Sequence, residues 1–276
     1  MIAAFLGAML ADILVGWSFP AGMIGSLLIA AAAHEFYGMS RGAGASPFTL
    51  LGVIATVLAF NLPWVQMQFP LLMAVMGPWC HVGLLAALAI VAFIGVGLRF
   101  GKSTPNAVAD VAVTIFGAFY VGVLASYVVS IHSVFNFGPK LVLFFVAVSK
   151  AADIGGYLTG KLIGRHKLSP TISPNKTIEG SAGGMVLSLI VAFLLTPLLP
   201  WALSLPWTIA FAVLVNVASQ FGDLAESMLK RGCGVKDSAV ILPKVCGALD
   251  LIDSILISAP VAFYLIAMKL ATTQAG

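Results

Sequence analysis

The sequence predicts an all-α, polytopic membrane protein, a bundle of about nine transmembrane helices. Hydrophobic residues make up 61% of the chain and charged residues only 9%, whereas a soluble domain carries about 25% charged residues. The mean hydropathy is +1.08. The apolar residues also fall into runs of about 20, the length that a helix needs to cross a bilayer. Together these observations exclude an ordinary soluble domain.

The apolar runs follow one another with short polar breaks. The first run contains Asp12, and Pro20 favours a break before the second. Because no basic residue precedes the first run, we expect a helix there rather than a cleaved signal peptide. The predicted helices cover residues 2–18, 21–38, 48–63, 79–98, 107–131, 140–163, 179–200, 206–229 and 250–269.

The basic residues predict the orientation of these helices. Most of them fall at or after the ends of even-numbered helices, and basic residues favour cytoplasmic loops. We therefore expect a multi-pass protein of the plasma (inner) membrane whose polar site faces the cytoplasm. The net charge of +4 follows from this asymmetry and suits membrane lipids, so no nucleic-acid partner is expected. Three cysteines without metal-type spacing indicate neither a disulfide framework nor a zinc site.

The distribution of acidic residues divides the chain at about residue 150. Seven of the ten acidic residues follow that point. Residues 1–149 are therefore interpreted as an N-terminal, structural set of helices and residues 150–276 as a catalytic transmembrane half. The isolated acids before residue 150, such as Glu35 and Asp110, are interpreted as interhelical hydrogen-bonding or helix-end residues.

A first polar block runs from residue 150 to residue 180. Asp153, Tyr157 and Lys161 are spaced i, i+4 and i+8, which places them on one face of the sixth helix. Lysines and hydroxyls then precede a helix that begins near Thr177, an arrangement that binds phosphate. The GxxxxGK[ST] pattern of an ordinary P-loop is absent. We assign three glycines to close helix packing: Gly180, Gly183 and Gly184.

A second polar block, residues 219–254, places five acidic and four basic residues among apolar helices. Such residues at membrane depth are costly and indicate a functional site. Asp223 and Asp250, on two different helices, offer the oxygen ligands that suit Mg²⁺. A metal bound there would neutralise a polyphosphate during displacement at phosphorus. Alternatively, the carboxylates form ion pairs with nearby bases, namely Lys230, Arg231 and Lys236.

The ordered segments SPNKTIEG (173–180), SQFGDLAESMLKR (219–231), KDS (236–238) and LP with LDLIDS (242–254) resemble the signature of the phosphatidate cytidylyltransferases, or CDP-diacylglycerol synthases. The resemblance covers roughly residues 150–260. It implies transfer of CMP from CTP to phosphatidate, giving CDP-diacylglycerol and pyrophosphate in phospholipid biosynthesis. It also implies a requirement for Mg²⁺, with K⁺ as an assisting cation in some members, and a homodimer.

The resemblance further implies roles for individual residues. The implied metal ligands are Asp223 and Asp250. The implied catalytic group is Asp223, Asp250, Lys230, Lys236, Asp253 and Glu226. The implied substrate ligands are Asp153, Ser173, Lys176, Thr177, Glu179, Ser219, Arg231, Asp237 and Lys244.

The sequence departs from the family signature between residues 244 and 251. Lys244, Val245 and Cys246 stand where the family has Gly, His and Gly, and Leu251 stands where it has Arg. Lys244 restores one positive charge, but Leu251 cannot replace a guanidinium fork.

Several alternatives to phosphatidate cytidylyl transfer stay open at this stage. The acceptor could be another lipid phosphate or a polyprenol, and the chemistry could be that of a CTP-dependent kinase. A non-catalytic scaffold and a transporter with a midplane site are further possibilities, although no internal repeat supports a transporter.

Overall fold

The computed structural model describes residues 7, 18–69, 79–98, 106–135, 137–199, 204–236 and 247–274. Seven helices within these ranges are long and apolar enough to cross a membrane, which confirms an all-α, multi-pass membrane protein. The predicted total of about nine is not confirmed. The predicted segment 2–18 lies almost entirely outside the described residues, and the segment predicted at 21–38 is part of a helix that runs from Ser18 to Gly42.

The chain forms two compact units, and both are discontinuous in sequence. Unit 1 consists of Met1–Val134 and Lys230–Leu251, and unit 2 of Phe135–Leu229 and Ile252–Gly276. The functional division at residue 150 stays a prediction.

Unit 1 is built around its second helix, which contacts the first, third and fifth. Small residues of unit 1 allow these helices to pack closely. At Gly122, for example, an added Cβ would lie 2.7 Å from the backbone oxygen of Thr56. The six-residue π-helical segment Ala118–Val123 joins the last two helices into one apolar span. The helices are α1 (Ser18–Gly42), α2 (Thr49–Gln68), α3 (Cys80–Leu98), α4 (Ala107–Gly117) and α5 (Leu124–Val134).

Unit 2 contains four helices and a short hairpin. The elements are α6 (Gly138–Ile163), β1 (Lys167–Ser169), β2 (Ser173–Thr177), α7 (Ile178–Leu195), a 3₁₀ turn (Thr196–Leu198), α8 (Leu205–Gly232) and α9 (Ala248–Gln274). The last residues of α8 and the first residues of α9 belong to unit 1.

The hairpin of β1 and β2 was not predicted from the sequence. Lys167 pairs with Thr177 and Ser169 with Ser173 in an antiparallel register. Its strands have only three and five residues, too short and too polar to show the alternation that predicts a strand. The hairpin ends at Thr177, whose hydroxyl accepts a hydrogen bond from the Gly180 N–H at 3.1 Å. Thr177 is thus the N-cap of α7, which confirms the predicted helix start.

Helices α6 and α7 approach each other through glycines. An added Cβ at Gly184 would lie 2.6 Å from the Ala152 oxygen, and one at Gly180 would lie 2.8 Å from the Gly156 oxygen. Side chains at these positions would separate the two backbones. The predicted packing role of these glycines is therefore confirmed.

Replacing Gly184 by Ala is expected to destabilise the protein by about 1–3 kcal/mol, because the new methyl group has no space between the helices. The matched control is Gly22→Ala in α1, where an added Cβ meets nothing within 4 Å. Alanine there should be neutral or stabilising by up to about 1 kcal/mol. Thermal unfolding in detergent checks both variants, and equal midpoints would contradict the packing argument.

Candidate functional site

Unit 2 contains a cavity of about 500 Å³, lined by residues of α6, α7, α8 and the hairpin. Asp153, Tyr157 and Lys161 all line it, which confirms that these three residues share one face of α6. Lys161 Nζ lies 5.7 Å from the centre of the Tyr157 ring, within the range of a cation–π contact. Tyr157 and Lys161 are both exposed, so this aromatic and basic pair lies at the protein surface beside the cavity.

A lysine and a carboxylate face each other at this cavity. Lys176 Nζ on β2 lies 2.7 Å from Asp223 Oδ2 on α8, and both side chains are partly buried. Both residues line the cavity. The partner of Asp223 is therefore a residue 47 positions earlier, and not one of the bases that follow it on α8.

Two amide side chains, those of Asn216 and Gln220, add polar groups on the same helix as Asp223. Gln220 Nε2 donates to Asn216 Oδ1 at 2.5 Å and to the Ser181 carbonyl at 3.3 Å. The Ser181 hydroxyl donates to Gln220 Oε1. Sequence reasoning missed these residues, although Asn216, Gln220 and Asp223 are spaced i, i+4 and i+7, a spacing that places polar groups on one helix face.

A second charged cluster in unit 2 joins α6 to α9. Lys150 Nζ lies 3.0 Å from Asp153 Oδ2 and 2.9 Å from the Ser254 hydroxyl, which in turn donates to Asp153 Oδ2 at 2.9 Å. Asp253 is buried and lies within electrostatic range of Asp153 and Lys150. Lys150 was not among the predicted site residues. Its position inside an apolar span was the feature of the sequence that could have indicated a functional role.

Unit 1 holds a further ion pair of the second polar block. Lys230 Nζ lies 2.7 Å from Asp250 Oδ1, and their side chains are only 12% and 19% exposed. Glu35, also buried, accepts a hydrogen bond from the Leu249 N–H at 3.0 Å. The hydrogen-bonding interpretation of Glu35 is thus confirmed.

The remaining predicted substrate ligands of unit 2 have structural neighbours. The Ser219 hydroxyl is buried 2.7 Å from that of Ser149. Glu179 accepts hydrogen bonds from the His166 ring at 2.6 Å and from two backbone N–H groups. Ser173 lies opposite Ser169 in the hairpin. Their roles toward a substrate stay predictions.

Two backbone groups at the start of α7 are already engaged. The Ile178 N–H donates to the His166 carbonyl at 2.9 Å, and the Gly180 N–H donates to Thr177. The phosphate binding predicted for this helix start would use free N–H groups. For these two groups the prediction is wrong, because the hairpin and the N-cap satisfy them. Lys176, which directly precedes the N-cap residue Thr177, supplies a cation at this helix start.

Other predicted residues are exposed, buried or undescribed. Arg231 and Lys236 are exposed, and Glu226 is buried on α8. Asp237 and Lys244 lie outside the described residues.

No three His, Cys, Asp or Glu side chains within the described ranges lie close enough together to form a ready-made metal site. Mg²⁺ does not require one, since it is usually bound by one or two carboxylates together with water and substrate phosphates. Asp223 and Asp250 suit this chemistry, because each presents a carboxylate oxygen 2.7 Å from a cationic ammonium.

Apolar spanning helices, with a lysine and a carboxylate facing each other at a cavity of unit 2, define a multi-pass membrane protein whose charged site suits phosphate groups. The chain belongs to the cytidylyltransferase family, whose model matches residues 1–269.

Similar proteins support this assignment. The chain is 36% identical over 159 residues to a phosphatidate cytidylyltransferase of Bacillus subtilis, covering 58% of this chain and 59% of that protein. It is 35% identical over 184 residues to a phosphatidate cytidylyltransferase of Staphylococcus saprophyticus, covering 67% of this chain and 70% of that protein. An uncharacterized protein of Escherichia coli is 43% identical over 129 residues, which cover 47% of this chain and 43% of that protein. The family resemblance found in the sequence is confirmed.

Proposed function

We propose that this protein transfers CMP from CTP to phosphatidate, giving CDP-diacylglycerol and pyrophosphate. The observation that carries the proposal is the Lys176–Asp223 pair at the cavity of unit 2, in a chain that the cytidylyltransferase family model matches over residues 1–269. The named relatives act on the same lipid. The enzyme works in the plasma membrane, with this cavity open to the cytoplasm, where CTP is available.

The reaction needs no covalent enzyme intermediate. An oxygen of the phosphatidate phosphate attacks the α-phosphorus of CTP, and the bond from that phosphorus to the oxygen bridging the α- and β-phosphates breaks. Pyrophosphate carries away the electron pair of the broken bond. Catalysis then consists of positioning and charge neutralisation, which are tasks for lysines and carboxylates.

Lys176 is the proposed polyphosphate ligand. Its ammonium is a compact charge on a flexible stem, held against Asp223 at 2.7 Å. When CTP binds, this ammonium turns toward the phosphates and Asp223 is released to accept another cation. Lys161 and Tyr157 border the same cavity and suit the headgroup of a lipid that enters from the side.

Asp223 and Asp250 are each proposed as a ligand of Mg²⁺, which is usually bound by one or two carboxylates together with water and substrate phosphates. A metal bound by these carboxylates would supply positive charge to neutralise the polyphosphate and the leaving pyrophosphate. Lys230, 2.7 Å from Asp250, balances this carboxylate when no metal is bound, and Asp253 and Glu226 support the metal ligands. K⁺ as an assisting cation and a homodimer complete the proposal.

The test uses the purified full chain in lipid nanodiscs with phosphatidate and CTP labelled at the α-phosphate. Label should pass into the lipid extract only when Mg²⁺ is present. Parallel reactions with CTP labelled at the γ-phosphate detect kinase chemistry, and a polyprenol and other lipid phosphates replace phosphatidate in turn. The absence of α-label in every lipid would reject cytidylyl transfer, and γ-label in a lipid would replace it with phosphorylation.

A further inference from the structure

Helix α9, which carries Asp250, begins after a residue that has no capping side chain. The Leu251 N–H donates to the Gly247 carbonyl at 3.3 Å, so Gly247 is the N-cap residue of α9. The first N–H groups of a helix have no partner within the helix. Gly247 has no side chain to accept them, so these groups need another acceptor, such as water or a side chain from elsewhere in the protein.

Glu35 of α1 supplies this cap. Its Oε2 accepts the Leu249 N–H at 3.0 Å, across 214 residues of sequence. Leu249 is the second residue after the N-cap, the position whose N–H a capping side chain normally accepts. Glu35 is only 3% exposed, and its carboxylate complements the positive end of the helix dipole.

The residue next to Leu249 is the proposed metal ligand. Asp250 follows it in the same first turn, and its carboxylate lies 2.7 Å from Lys230. The orientation of this turn decides where the Asp250 oxygens point. A metal ligand has to be held by its surroundings within about 0.5 Å of its working geometry.

We propose that Glu35 is a positioning residue, which fixes the first turn of α9 through the Leu249 N–H and thereby aims the Asp250 carboxylate at the metal. This inference rests on the proposed function for the role of Asp250. It gives Glu35 a part in metal binding, although this residue belongs to the N-terminal helices and lies outside the two polar blocks.

The test compares Glu35→Ala and Glu35→Gln with a matched control, Asp110→Ala. Asp110 is also a buried carboxylate of unit 1 that accepts a backbone N–H, that of Ser46 at 2.6 Å. Three quantities are measured on the full chain: binding of Mn²⁺ followed by electron paramagnetic resonance, the Mg²⁺ concentration that gives half-maximal transfer, and hydrogen exchange of peptides that cover residues 247–253.

Glu35→Ala should weaken Mn²⁺ binding and raise the half-maximal Mg²⁺ concentration by about tenfold or more, as loss of a partner behind a metal ligand typically does. Exchange in residues 247–253 should accelerate by about fivefold to tenfold. Glu35→Gln keeps an oxygen that can accept the Leu249 N–H but loses its charge, so its changes should be about threefold. Asp110→Ala should leave the metal dependence within about twofold of wild type even where it lowers stability.

Unchanged Mn²⁺ affinity in Glu35→Ala would overturn the proposal and leave Glu35 a stabilising residue only. If Glu35→Ala does not fold, Glu35→Gln decides, and wild-type Mn²⁺ affinity together with wild-type exchange overturns the proposal. Failure of the proposed function has a different signature: the wild-type protein then shows no Mg²⁺-dependent transfer, whereas accelerated exchange in Glu35→Ala still supports the cap.

Discussion

Replacing Asp250 by Asn is expected to lower the Mg²⁺-dependent transfer of CMP by about 10²-fold to 10³-fold, the usual effect of removing one group that stabilises developing charge. Asparagine has nearly the same shape, but it lacks the negative charge that holds a hard cation. If Asp250 binds the proposed Mg²⁺, the change should reduce kcat, because the metal would act on charge that develops during the reaction. Initial rates at saturating CTP and phosphatidate measure this effect.

Folding has to be separated from chemistry in this variant. Asp250→Asn leaves Lys230, which is 12% exposed, without its acidic partner, and an uncompensated buried charge destabilises a protein. The double variant Asp250→Asn/Lys230→Gln removes both charges and should be stable but equally inactive. Asp110→Asn changes a buried carboxylate of the same unit and should keep most of the activity. Near-normal turnover in either Asp250 variant would remove Asp250 from the metal site.

Replacing Lys176 by Gln should lower kcat/KM for CTP by about 100-fold, because the cavity loses the cation at the start of α7. Most of the change should be a higher KM for CTP, with a smaller change in the KM for phosphatidate. Lys176→Arg keeps the positive charge but not the compact ammonium, so it should recover part of the loss. Steady-state kinetics with each substrate varied in turn make the measurement.

The control for Lys176→Gln is Lys140→Gln. Lys140 belongs to the same unit and lies near the first turn of α6, with its Nζ 5.8 Å from the centre of the Phe137 ring. It does not line the cavity, so its loss should leave the kinetics within about twofold of wild type. Equal effects of the two substitutions would mean that general basic charge, and not the Lys176 site, attracts CTP.

Hydropathy predicted the spanning helices that the structure describes, because each spanning segment must satisfy its own backbone within the apolar bilayer. The predicted segment 48–63 is the helix Thr49–Gln68, and the predicted segment 206–229 is the helix Leu205–Gly232. The π-helical turn at Ala118–Val123 was not predicted. It changes the hydrogen-bond spacing without changing the apolar composition.

The candidate site was predictable in part. Spacing along a helix correctly placed Asp153, Tyr157 and Lys161 on one face. It could not show that Asp223 faces Lys176, because the contact joins a strand and a helix that are remote in sequence. The capping of α9 by Glu35 could not be predicted for the same reason. The local sequence around residue 35 or residue 249 does not indicate that the two residues are in contact.

The discontinuity of unit 1 has a consequence for the biogenesis of the protein. Lys230–Leu251 completes a unit that begins with Met1–Val134, and the whole of Phe135–Leu229 is synthesised in between. The ribosome therefore delivers the main part of unit 2 to the membrane before unit 1 has all of its chain. More than 200 residues are translated between Glu35 and its partner Leu249. A nascent chain that stalls before Leu249 therefore contains the cavity residues but cannot yet form the start of α9.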